Sequence, residues 1–127
     1  MSDKLSEHFS RSEFACHGTN CCGGSAPIDA ELIDALELLR ALVSVALYIN
    51  CGFRCLTHNR TLGSQDDSQH PLGLAADVAV PEGFTVEQFA EMAEQVPAFA
   101  DGGIGRYPTR GFIHVDCRHD GPSRWTA

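Results

Sequence analysis

The stretch from Ser68 to Asp77, Ser-Gln-His-Pro-Leu-Gly-Leu-Ala-Ala-Asp, constrains this chain more than any other. It sets His70 and Asp77 seven residues apart, with Pro71 and Gly73 to bend the backbone and small apolar residues to let it pack closely. Val78-Ala79-Val80 follows and reads as the start of a buried strand. A turn leading into a strand swings the two side chains back toward one point. A third donor stands near the end of the chain, in Phe112-Ile113-His114-Val115-Asp116. Two neutral imidazoles and one carboxylate are the usual donors of a catalytic zinc, which keeps its fourth position for water. His70, Asp77 and His114 are therefore the candidate ligands of one zinc ion per chain.

At 127 residues the chain has room for one domain, residues 1–127, with enough length to bury a real core. A net charge of −8 and the lack of any Lys/Arg cluster argue against a nucleic-acid partner, since a phosphate backbone would be repelled over most of the surface. No apolar run is long enough to span a bilayer, and the polar start Met1 to His8 lacks a signal-peptide apolar region. The expectation is a monomer made in the cytoplasm. Six cysteines are many for such a chain: Cys16, Cys21 and Cys22 share one loop, Cys51 and Cys55 flank a turn, and Cys117 follows His114 and Asp116. Their pairing cannot be deduced from spacing. A second zinc site on Cys16, His17, Cys21 and Cys22 has the right residue types but no standard spacing.

Periodicity gives the rest of the frame. Ser10-Arg11-Ser12-Glu13 fits a capping box for a short helix that turns Phe9 and Phe14 inward. Asp29 caps a first long helix whose Leu32, Ile33, Leu36, Leu39 and Val43 form one apolar stripe. Val45 to Asn50 reads as a strand, and Thr57 to Asp67 as a polar loop walling a cleft. Thr85-Val86-Glu87-Gln88 caps a second helix that runs to about Val96, where Pro97 stops it. Two strands follow, about Ile104 to Tyr107 and Gly111 to Asp116. Alternation puts Phe112, His114 and Asp116 on one face of the second. His119 to Ala127 carries no clear element, and Trp125 either covers a core edge or lies loose. The fold class is α+β, a small antiparallel sheet with two main helices packed around it.

The string Ser-x-His-x-x-Gly-x-Ala-x-Asp from Ser68 to Asp77, with the later His114-x-Asp116, closely resembles the zinc D-Ala-D-Ala carboxypeptidase family of murein peptidases, whose zinc fold is shared with the hedgehog signalling domain. The resemblance runs from Phe9 to about Arg118. It is strongest to the short single-domain members of phages and bacteria, through Phe9-Ser10-Arg11-Ser12-Glu13-Phe14 and Gly103-Ile104-Gly105-Arg106-Tyr107-Pro108. It implies a zinc-dependent hydrolase of peptidoglycan stem peptides, a D,D-carboxypeptidase or an endopeptidase. Such an enzyme would reach the cell wall after release or delivery, in the manner of a phage endolysin. The resemblance also assigns Ser68 and Arg54 to substrate, with Arg54 sharing the oxyanion charge of the transition state. Cys51-Gly52-Phe53-Arg54 stands where relatives usually carry Ser-Gly-Tyr-Arg.

The general base is where the sequence departs from these relatives. Many place a carboxylate three residues before the last histidine, where this chain has Gly111; some place a histidine two before it, where this chain has Phe112. Asp116 is the nearest carboxylate that strand geometry offers, either as the catalytic base or as the group that orients His114. The alternative function is a zinc-stabilised binding or structural module with little or no catalysis.

Overall fold

A computed structural model describes residues 4–18, 28–63 and 69–127. Near the N-terminus a 3-10 turn, Arg11–Phe14, is closed by the Glu13 carboxylate, which accepts from the backbone N–H of Ser10 at 2.6 Å. Helix α1 spans Ala30–Val43, and the Asp29 side chain accepts from the Glu31 N–H at its start. Its stripe of Leu32, Ile33, Leu36, Leu39 and Val43 is buried, as the spacing requires. Strand β1 is Ile49–Cys51, helix α2 Leu56–Thr61 and strand β2 Ala75–Ala79. Helix α3, Val86–Ala93, opens on the expected capping box, with Thr85 Oγ1 and the Gln88 side chain each bonded to the other's backbone N–H. Helix α4, Pro97–Ala100, leads to strands β3, Gly103–Tyr107, β4, Phe112–Asp116, and β5, Ser123–Thr126.

The five strands run in the order β1-β2-β4-β3-β5. The first three pairings are antiparallel, while β3 and β5 are parallel. Alternation along the strands separates two faces. Ala76, Val78, Ile104, Ile113 and Val115 join the core with Phe89, Ala90, Ala93 and Phe99. On this side α3 and α4 pack against β3 and β4, and α1 lies against α3 and α4. Ala75, Asp77, Phe112, His114 and Asp116 take the opposite face.

The α+β expectation holds, with local corrections. The sheet is mixed, because the tail that reads as structureless pairs along the free edge of β3. That pairing is made by backbone groups, such as Ser123 N–H to the Gly102 carbonyl at 3.0 Å and Ala127 N–H to Arg106 at 2.8 Å. Backbone pairing leaves little trace in a short polar sequence. The strand expected over Val45 to Asn50 is confined to Ile49–Cys51, and Val45 and Tyr48 are exposed. The expected polar loop begins instead as α2, whose Asn59 is buried. β2 starts three residues before Val78 and so holds Asp77 in mid-strand. α3 ends at Ala93, and Pro97, needing no N–H partner, begins α4 rather than only ending what precedes it.

Candidate metal centre

One row of residues crosses the sheet. Cys51 on β1 sits opposite Asp77 on β2, Asp77 opposite His114 on β4, His114 opposite Gly105 on β3, and Gly105 opposite Trp125 on β5. Directly opposed residues point to the same side of a sheet, so the row forms one strip. His70 meets it from the 3-10 turn His70–Leu72, which a left-handed Gly73 (φ 74°) closes before β2. The bend that Pro71 and Gly73 imply is therefore real, and it returns His70 to Asp77.

The rings of His70 and His114 are both anchored on their far sides. His70 Nδ1 donates to the Gly52 carbonyl at 2.6 Å, which leaves its Nε2 lone pair facing Asp77 Oδ1 at 3.3 Å. His114 Nε2 donates to Asp116 Oδ2 at 2.7 Å, which leaves Nδ1 facing the same Asp77 oxygen at 3.1 Å. Two lone pairs aimed at one carboxylate oxygen repel unless a proton or a cation joins them. Burial pulls both imidazole pKa values down, yet hydrogen bonds to Asp77 and Cys51 for His70, and to Asp116 and Asp77 for His114, outweigh it and raise them. Burial likewise pushes the Asp77 carboxyl up, but the bonds from His114 and His70 hold it well below the usual carboxylate range. This donor set suits a divalent cation: two buried, oriented imidazoles and one part-buried carboxylate.

Asp116 stands on the far side of His114 from that point. Its Oδ1 accepts from Gly103 N–H, Arg118 N–H and Arg118 Nε, and its Oδ2 from His114 Nε2 and Arg118 Nη2. Five donors and full burial occupy the carboxylate, and the Arg118 fork helps to hold its pKa low against burial. Gly102 and Gly103 are small of necessity, since a Cβ on either would strike the Asp116 backbone or carboxylate.

A shallow cleft of about 370 Å³ opens over the strip, lined by His17, Asn50, Cys51, Arg54, Leu62, Asp77, Arg110 and Phe112. Arg54 thus lines the same cleft as Asp77, and its Nε is buried with no hydrogen-bond partner among the described residues. Ser68, Cys21 and Cys22 lie outside the described residues. No disulfide joins the four described cysteines, Cys16, Cys51, Cys55 and Cys117; Cys16 and Cys55 approach to 4.0 Å.

Sequence reasoning passed over three contributors. Cys51 stands where relatives carry Ser, yet its sulfur and the donor atoms of His70 and Asp77 lie within 4.8 Å of one another. Arg118 braces Asp116. Trp125 lies against His114 with ring centroids 4.9 Å apart, seated over the bare backbone of Gly105 and tied to the Tyr107 hydroxyl at 2.9 Å. The Gly at position 105 was the one available sign that a ring crosses there.

A small α+β domain with a His-Asp-His group on the open face of its sheet has the architecture of a metal-dependent hydrolase. The family itself follows from the sequence. Residues 7–116 match the family model described as Peptidase M15, and the chain belongs to that family of zinc-dependent metallopeptidases. No curated protein matches the chain closely enough to count as a relative. No helix among the described residues is long and apolar enough to cross a membrane.

Proposed function

We propose that this chain is a zinc-dependent hydrolase of peptidoglycan stem peptides, acting as a D,D-carboxypeptidase or endopeptidase, with one ion held by His70 Nε2, an Asp77 carboxylate oxygen and His114 Nδ1. The observation that carries this is the aim of two far-side-anchored imidazoles at one part-buried carboxylate oxygen, in a cleft that Arg54 also lines. Zinc bound there supplies a Lewis acid for a peptide carbonyl and lowers the pKa of a water to near neutrality. Arg54, whose Nε lacks a hydrogen-bond partner among the described residues, binds the substrate carboxylate or shares the oxyanion charge, and Ser68 adds a substrate hydrogen bond. Asp116 is a positioning residue: it fixes the His114 tautomer and ring plane, and Arg118 fixes it in turn. Among the described residues lining the cleft, His17 and Cys51 remain as groups able to take a proton. We further propose a monomer that is made in the cytoplasm and meets the wall after release or delivery, as phage-type enzymes do.

One observation favours a second reading, a zinc-stabilised binding module. Apart from Asp77, no residue described in the cleft lining is a carboxylate. Purified protein incubated with peptidoglycan, with zinc and with chelator, separates the two. Zinc-dependent release of stem-peptide fragments is expected, whereas binding to the wall without release supports the module. Arg54→Ala is expected to keep zinc and fold while lowering turnover, read as kcat/KM at zinc saturation. Unchanged turnover would remove Arg54 from the substrate site.

A further inference from the structure

Cys51 reaches the strip through a break in register. Ile49 pairs with Val78, so an unbroken antiparallel ladder would set Asn50 opposite Asp77 and Cys51 opposite Ala76, toward the core. A bulge between Ile49 and Cys51 places Cys51 opposite Asp77 instead. Bulges beside functional sites re-aim a side chain in this way. The thiol then lines the cleft beside Asp77 and groups with the donor atoms of His70 and Asp77 within 4.8 Å. Tetrahedral zinc, with Zn–S near 2.3 Å and Zn–N near 2.0–2.1 Å, draws sulfur and nitrogen donors to about 3.6 Å apart. Since the donor atoms already lie within 4.8 Å of one another, at most about 1 Å of movement brings the thiol into range.

We propose that the Cys51 sulfur is a fourth protein donor to the ion held by His70, Asp77 and His114. This rests on the metal-site reading above and changes what the resting site is. On ligation the S–H bond breaks, its proton passes to solvent, and the thiolate lone pair forms the bond to the metal. Soft thiolate favours zinc among the common divalent ions. Four protein donors make a closed site, the arrangement of structural zinc, whereas an open position is what hydrolysis needs. Cys51 therefore acts as a latch: the chain holds its ion closed at rest, and entry of a peptide carbonyl or water requires the sulfur to leave.

X-ray absorption on the zinc-loaded full chain and on Cys51→Ser tests this without any substrate. The wild type is expected to show one sulfur neighbour per zinc at about 2.3 Å among nitrogen and oxygen neighbours. Cys51→Ser is expected to keep one zinc per chain and to lose that sulfur. The cobalt-loaded forms give a second readout, a sulfur-to-cobalt charge-transfer band present in the wild type and lost in the variant. A wild-type shell of nitrogen and oxygen alone overturns the latch and leaves the three-donor site standing. A sulfur shell that persists in Cys51→Ser places the ion on other thiols and also overturns it. Failure of both proteins to bind zinc sinks the metal reading itself, a result distinct from the other two.

Discussion

At the scale of single residues, the two sides of the His114 ring divide the work. Nδ1 faces Asp77, while Nε2 is tied to a carboxylate that five donors hold in place. Asp116→Asn keeps the shape but weakens the grip on both His114 and Arg118. It is expected to lower zinc affinity by roughly 10–100-fold, measured by chelator competition, and to recover much of its rate once saturated with zinc. A catalytic base would behave in the opposite way, with affinity intact and the rate down by roughly 10²–10⁴-fold. Gly105 makes a second test. An alanine Cβ there would fall inside the indole of Trp125, which must then leave its seat against His114. Because Trp125 is the only tryptophan, Gly105→Ala is expected to shift intrinsic fluorescence to longer wavelength. An unshifted spectrum would show that the ring keeps its place.

The elements matter here for what they hold still. The N-terminal turn is far from the metal centre in sequence, yet Phe14 lies against Gly52, where any Cβ would come within 2.7 Å of the Phe14 Cα. Phe53 N–H also bonds the Phe14 carbonyl at 2.8 Å. The Gly52 carbonyl, anchor of His70, is thereby fixed by the first turn of the chain. That turn is itself docked on α1 through Glu37, which accepts from Ser6 Oγ, from the His8 N–H and from His8 Nδ1. Burial pushes the Glu37 carboxyl up, but these bonds outweigh it and hold its pKa below the ordinary 4.5. A carboxyl depressed on folding stabilises fully above its unfolded pKa, near 4.5, and loses that contribution as pH falls through the lower folded value. Hydrogen exchange at Leu5 and Ser6, whose N–H groups bond the Phe9 carbonyl, is therefore expected to lose protection in acid before α1 does. Glu37→Gln is expected to lose it already at neutral pH. Equal protection in variant and wild type would remove Glu37 from the docking.

For the molecule as a whole, core and metal strip lie on opposite faces of one sheet. Leu32, Leu36, Leu39, Phe89 and Phe99 are fully buried on the helix side, each burial worth about 1.5–3 kcal/mol. Folding consequently does not wait for the ion, and the chelated chain is expected to unfold in one cooperative transition. Zinc at 100 times its Kd adds about 2.7 kcal/mol, which raises Tm by roughly 10 °C for a domain of this size. Calorimetry with and without chelator measures this. A chelated chain with no transition at all would mean that the core does not suffice.

Local chemistry alone determined a large part of this protein. The stripe of α1, the caps at Asp29 and Thr85, the bend at Pro71-Gly73 and the candidate donors His70, Asp77 and His114 all depend on residues near one another or on a motif with a fixed spacing. Strand alternation likewise put His114 and Asp116 on one face. Which side of the ring each carboxylate takes was decided only by tertiary structure, because β2 lies beside β4 while Arg118 folds back from beyond it. The fifth strand was also a tertiary decision, since its pairing uses backbone groups that every residue carries. The place of Cys51 was another, because a single extra residue in β1, invisible as a pattern, turns its thiol from the core side to the metal strip.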